Sequence, residues 1–155
     1  MAISAKDVME LRRQTDCGMM ECKKALTQAD GDFEKAIEIL REQGLATASK
    51  KAGRIAAEGM VYAAADVANK VGVVIEVNAE TDFVAKNDSF QTFVKEVADV
   101  VMAQNPADVE ALKACTYPGT DRTVSDVTAD KVLAIGENIQ IRRFVRYAEG
   151  VNVPY

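Results

Sequence analysis

Glu76-Val77-Asn78-Ala79-Glu80-Thr81-Asp82-Phe83-Val84-Ala85-Lys86-Asn87 joins the clearest strand of the chain to its clearest helix. On one side Val71, Val73, Ile75 and Val77 alternate at period two, the pattern of a half-buried strand face. On the other, Phe90, Phe93, Val94, Val97 and Val101 follow a helical stripe. Between them Thr81-Asp82-Phe83-Val84 sets a large aromatic beside a carboxylate on a short connection. Such a connection has to run near the surface, because a buried one would strand its backbone polar groups. Phe83 is then either a core plug folded back inward or a side chain offered to something else, and pattern alone favours the plug.

Working outward, residues 59–65 read as a strand and residues 66–70 as a turn, which makes a hairpin with the strand above. Downstream the long helix begins near Asp88, whose carboxylate can cap it, and ends before Asn105-Pro106. Pro106 suits the first turn of a short helix carrying Val109 and Leu112. Tyr117-Pro118-Gly119-Thr120 is a loop. A last helix runs from about Thr123 to Ile135 and is ended by Gly136; Ile139, Ile141, Val145 and Tyr147 then suggest a third strand whose alternation Phe144 breaks.

The amino-terminal part is helical. Ser4-Ala5-Lys6-Asp7 reads as a capping box, with Ile3 placed to staple against Val8, and a first helix runs to about Gln14. Gly18 opens a second helix on which Met19, Cys22 and Leu26 share one face, while Met20 lies about 100° round from Met19. Asp30-Gly31 is a turn. Asp32 caps a third helix with Phe33, Ala36, Ile37 and Leu40 as its buried stripe, and Gly44 is expected to stop it. Residues 45–54, rich in small side chains and carrying Lys50, Lys51 and Arg54, read as a connection whose charges are solvated.

The expected fold is α+β: a three-helix bundle over residues 1–44, a linker over 45–57, and a core over 58–155 in which helices cover a three-stranded antiparallel sheet. With Gly18-Met19 at its loop and Gly31-Asp32-Phe33-Glu34-Lys35-Ala36-Ile37-Glu38-Ile39-Leu40 in its third helix, the bundle is similar to the ubiquitin-associated type. That type binds partners on a small apolar patch. Met19 keeps stripe spacing and serves equally as core or surface. Met20 is the better surface candidate, because an unbranched, polarisable side chain adapts to an irregular partner. Lys23 beside it would ordinarily be a solvated charge.

Composition narrows the function. A chain of 155 residues with 48% hydrophobic side chains has enough material for a real core, and its formal charge of −5 argues against neutralising phosphates along a nucleic acid. No apolar run approaches the roughly 20 residues of a membrane span, and no signal segment opens the chain, which points to the cytoplasm. Cys17, Cys22 and Cys115 make no disulfide framework or spaced ligand pairs, and there is no histidine, so neither a metal site nor a cofactor site is expected. Lacking histidine, a Gly-rich phosphate loop and a serine elbow, the chain does not read as an enzyme. Glu80 and Asp82 as an acid–base pair would need a pocket that nothing in the sequence supplies.

Glu76-Val77-Asn78-Ala79-Glu80-Thr81-Asp82-Phe83-Val84-Ala85-Lys86 resembles the signature of the elongation factor Ts family, nucleotide exchange factors for elongation factor Tu. A second family signature is matched by Leu11-Arg12-Arg13-Gln14-Thr15-Asp16-Cys17-Gly18-Met19-Met20-Glu21-Cys22-Lys23-Lys24-Ala25-Leu26, and the likeness runs on through Ile135-Gly136-Glu137-Asn138-Ile139-Gln140-Ile141-Arg142-Arg143. The resemblance implies that Asp82 and Phe83 form a wedge that enters the nucleotide-binding domain of elongation factor Tu and disturbs its magnesium and phosphate site. Thr81 and Val84 would support that wedge. Met19 and Met20 match positions by which the amino-terminal bundle grips the same partner, with Lys23 beside them. Asp16-Cys17 replaces the small pair usual in that turn. Many members continue into a second core half, so this chain corresponds to the amino-terminal domain plus the first core half, and a short form could compensate by forming a homodimer. The rival reading is a ubiquitin-associated-like module that binds a ubiquitin-like protein or a nascent chain without exchange activity.

Overall fold

The computed structural model describes residues 2–151, 153 and 154. In chain order the elements are α1 (Ala5–Thr15), α2 (Met19–Gln28), α3 (Phe33–Lys51), β1 (Glu58–Asp66), β2 (Val71–Ala79), α4 (Asp82–Ala85), α5 (Asp88–Gln104), α6 (Val109–Ala114), α7 (Val124–Ile135) and β3 (Gln140–Ala148). The fold is α+β, with a helical amino-terminal region followed by a three-stranded antiparallel sheet and further helices. The chain divides into two compact units, one holding the residues through Gly53 with Thr128–Asn138, the other Arg54–Val127 with the residues from Ile139 on. The division falls within α7.

In the first unit the capping box forms as expected: Ser4 Oγ accepts from Asp7 N at 3.1 Å, and the Asp7 carboxylate accepts from Ser4 N. Val8 and Leu11 of α1, Cys22, Ala25 and Leu26 of α2, and Ala36 and Leu40 of α3 bury together, with Ile3 packed against them. Gly44 does not stop α3, which continues to Lys51. A Cβ at Gly44 would stand 3.1 Å from the Ala129 carbonyl oxygen, so the glycine marks a close approach to α7 rather than a helix end. Lys50 and Lys51 therefore ride on the last turn of a helix, and Lys51 Nζ donates to the Gly136 carbonyl at 2.5 Å just past the end of α7. A cation there answers the carbonyls that a helix leaves unpaired at its C-terminus.

In the second unit the strands lie in the order β1-β2-β3. Val73, Ile75, Val77 and Ala79 of β2 are buried on the face that α5 covers with Phe90, Phe93, Val94, Val97 and Val101. The helix is capped by Asn87, whose Oδ1 accepts from Phe90 N at 3.1 Å, and not by Asp88, which is its first residue. The amide oxygen one position earlier has the reach to N3. Likewise α6 begins at Val109 behind Asp108, which accepts from Ala111 N at 2.8 Å, so Pro106 lies ahead of the helix rather than in its first turn.

The third strand departs most from expectation. Pairing with β2 slips between Glu76 and Val77, where Val77 faces Ile141 but Glu76 faces Arg143, leaving Arg142 as an extra residue. One inserted residue reverses which face every later side chain takes. Ile139 and Ile141 are buried as expected, but beyond the bulge Phe144 turns inward while Val145 and Tyr147 turn out. The sheet face away from α5 thus exposes Val61, Val74, Val145 and Tyr147. Among the described residues no helix is long and apolar enough to cross a membrane.

Candidate functional site

The connection after β2 is a single helical turn, α4. Thr81 has extended backbone, and its Oγ1 accepts from Val84 N at 3.3 Å, the work of an N-cap. Ala85 N and Lys86 N, each at 3.2 Å, donate back to the carbonyls of Thr81 and Asp82, and Asn87 N donates to Val84 O at 2.9 Å. From α5, Gln91 Nε2 donates to Ala85 O at 3.3 Å and satisfies the other end of the turn. Both ends of a four-residue helix are therefore held by side chains, which such a short helix requires, since one turn is not stable by itself.

The turn sorts its side chains sharply. Val84 is buried on the side of β1 and β2, while Phe83 is 84% exposed. The core-plug reading of Phe83 is overturned: Val84 occupies the inward position, and a residue about 100° round a helix cannot share it. Asp82 is exposed and pairs with Lys86, Oδ2 to Nζ 3.0 Å, one turn on. Glu80 is largely shielded, and its Oε2 stands 3.7 Å from Arg54 Nη1.

Beneath the turn, the sheet supplies a stiff base. Asn78 is buried and its Nδ2 donates to Glu58 O at 3.1 Å and to Glu76 Oε2 at 3.0 Å, while Arg143 Nε donates to Glu76 Oε1 at 2.8 Å. These hydrogen bonds, Asn78 first and Arg143 second, hold the Glu76 carboxyl below the usual carboxylate range. Gly59 pairs with Asn78 across the ladder at φ 134°, and a Cβ there would meet the Val77 carbonyl oxygen at 2.2 Å. Only glycine fits that approach.

In the first unit, α2 opens at Gly18, whose carbonyl accepts from Cys22 N at 3.0 Å. Cys22 and Leu26 are buried, but Met19 and Met20 are 49% and 67% exposed, so the buried stripe starts one turn later than the spacing of Met19 suggests. A side chain in the first turn has no preceding turn to lie on and can project past the core. Lys23 is exposed beside them. Cys17 and Cys22 are buried free thiols, and burial pushes both pKa values up, which keeps them protonated and unreactive.

Asp82 and Phe83 thus stand together on α4 over Thr81 and Val84, and Met19, Met20 and Lys23 stand together on α2 in the other unit. Three supporting residues escaped the sequence reading. Lys86 was legible, four residues from Asp82 on a helix. Gln91 and Arg54 were not, because nothing in a one-dimensional pattern says which carbonyl or carboxylate they will meet.

A family model described as "Elongation factor TS" matches residues 80–155. The elongation factor Ts of Trichlorobacter lovleyi is 54% identical over 149 residues, 96% of this chain and 48% of the relative. That of Syntrophotalea carbinolica is 54% identical over 157 residues, 100% of this chain and 51% of the relative. That of Burkholderia mallei is 56% identical over 146 residues, 94% and 48% respectively. The chain spans about half the length of these curated relatives.

Proposed function

Since the chain belongs to the elongation factor Ts family, we propose that it binds elongation factor Tu in the cytoplasm and promotes release of GDP, supporting translation elongation. Such a factor makes and breaks no covalent bond. It binds the nucleotide-free partner more tightly than the nucleotide-bound one, and by linkage each weakens the other's binding equally; couplings of about 1–3 kcal/mol correspond to roughly 5- to 150-fold. Speeding release is a separate demand. A thousandfold acceleration lowers the barrier by about 4 kcal/mol, which a wedge that breaks a metal or phosphate contact can supply.

The observation that carries this reading is the fastened turn under Phe83. A lone exposed apolar side chain is ordinary. Phe83 is exposed on a turn whose two ends are hydrogen-bonded by Thr81 and Gln91 and whose middle is anchored by Val84. A stiff ring with two rotatable bonds, presented from a fixed base, loses little entropy on inserting into a cleft between packed helices of the nucleotide-binding domain. Asp82 beside it accepts hydrogen bonds from backbone amides or adds negative charge near the phosphates; either disfavours bound GDP. Met19, Met20 and Lys23 provide a second hold on the same partner.

The test is release of a fluorescent GDP from elongation factor Tu in excess unlabelled nucleotide, with this chain and its Phe83→Ala variant over a range of concentrations. Faster release with the chain and not with the folded variant supports the wedge. Binding with no acceleration by either favours a partner-binding module instead.

A further inference from the structure

We propose that Arg54 is a positioning residue for Phe83, acting through Glu80; the proposal deepens the exchange reading above and rests on it for its kinetic test. Ala79 is the last paired residue of β2, opposite Glu58, and Thr81 is the N-cap of α4. Glu80 is therefore the single residue between a strand locked into the sheet and the cap of the turn that carries Asp82 and Phe83. With Ala79 fully buried and Thr81 committed to Val84 N, Glu80 is the joint at which α4 leaves the sheet, while Val84 and Gln91 hold the rest of the turn. The Glu80 side chain is 19% exposed and stands 3.7 Å from the Arg54 guanidinium, which opens the second unit. A tie at that joint limits the swing of everything beyond it.

Shielding of one partner makes this pair different from the neighbouring one: Arg54 is 56% exposed but Glu80 only 19%. Asp82 and Lys86 are 67% and 76% exposed, so water and salt screen their attraction. A carboxylate withdrawn from solvent feels a nearby cation more strongly, and a 3.7 Å approach is an ion pair that another cation of similar reach can also make. Arg54 lies in the stretch that reads as a solvated connection, so its role appears only when the strand end is brought beside it.

Arg54→Ala, Glu80→Gln and the double variant separate positioning from gripping. Each single change is expected to lower the maximal GDP release rate about two- to fivefold, with the half-saturating concentration and the unfolding midpoint unchanged. The double variant is expected to fall no further than the singles, and Arg54→Lys to recover most of the rate. Wild-type rates, a matched loss of affinity, or singles that multiply in the double variant would overturn the proposal. NMR relaxation of the free chain reads the same tie without any partner. Arg54→Ala should lower the backbone order of Asp82 and Phe83 while α5 stays unchanged; unchanged order at both overturns the positioning role. A wild-type chain that neither binds elongation factor Tu nor speeds release defeats the exchange reading alone, and the relaxation result still decides for Arg54.

Discussion

Phe83 and Val84 are neighbours in sequence and opposites in environment: the phenylalanine is 84% exposed and the valine 6%. About 100° of rotation within one helical turn separates a side chain that holds the protein together from one that stability does not need. Phe83→Ala should leave the unfolding free energy within about 0.5 kcal/mol of wild type while lowering GDP release at least about tenfold. Val84→Ala should cost about 1–3 kcal/mol, the burial and cavity terms of a buried valine. Denaturant unfolding and the release assay, run on both variants, check the split; a large stability loss for Phe83→Ala would contradict the exposed ring.

Met20 sits on a different unit from Phe83, and the two should fail differently. Met20→Ala is expected to raise the half-saturating concentration about three- to tenfold with the maximal release rate kept, because it removes contact area and no strain on the nucleotide. Equal losses of affinity and rate for both variants would show that the two contacts do not divide the work.

Gly59→Ala tests the base under the turn. A Cβ 2.2 Å from a backbone oxygen, at a φ of 134°, cannot be accommodated by rotating a side chain. The variant should lose at least about 2 kcal/mol of stability, read as a lowered midpoint in urea, and its Asn78 side-chain amide should shift in NMR.

Glu10 gives the pH prediction. Hydrogen bonds from Arg13 first and Gln14 second bring its pKa from the ordinary 4.5 down to about 2. A carboxyl depressed in the folded state stabilises above its unfolded pKa, and that contribution fades as pH falls from near 4.5 toward 2. An NMR titration should find the Glu10 midpoint near 2, and Arg13→Ala should move it up toward the ordinary range. A midpoint unmoved by Arg13→Ala would remove the assigned cause.

Much of this was legible from spacing. The stripe Phe90, Phe93, Val94, Val97 and Val101 and the alternation Val73, Ile75, Val77 are fully buried as the two periods require, and the capping box at Ser4 and Asp7 forms. The errors fell where local signals have two meanings. Gly44 reads as a stop but serves a close helix approach, and Phe144 reads as a broken alternation but follows a bulge at Arg142. In each case the deciding partner lies far along the chain, beyond the reach of any window.

The sequence by itself determined most of the elements and the α+β class, and its family motifs singled out Asp82, Phe83, Met19 and Met20 as the residues worth following, because periodicity, caps and motif are local and survive without a third dimension. Tertiary structure alone decided that Phe83 faces solvent, that Arg54 meets Glu80 and that Gln91 closes the turn from α5. Those facts depend on which groups distant in sequence share a neighbourhood. For Phe83 the deciding condition was that Val84 took the one inward position a single helical turn can offer.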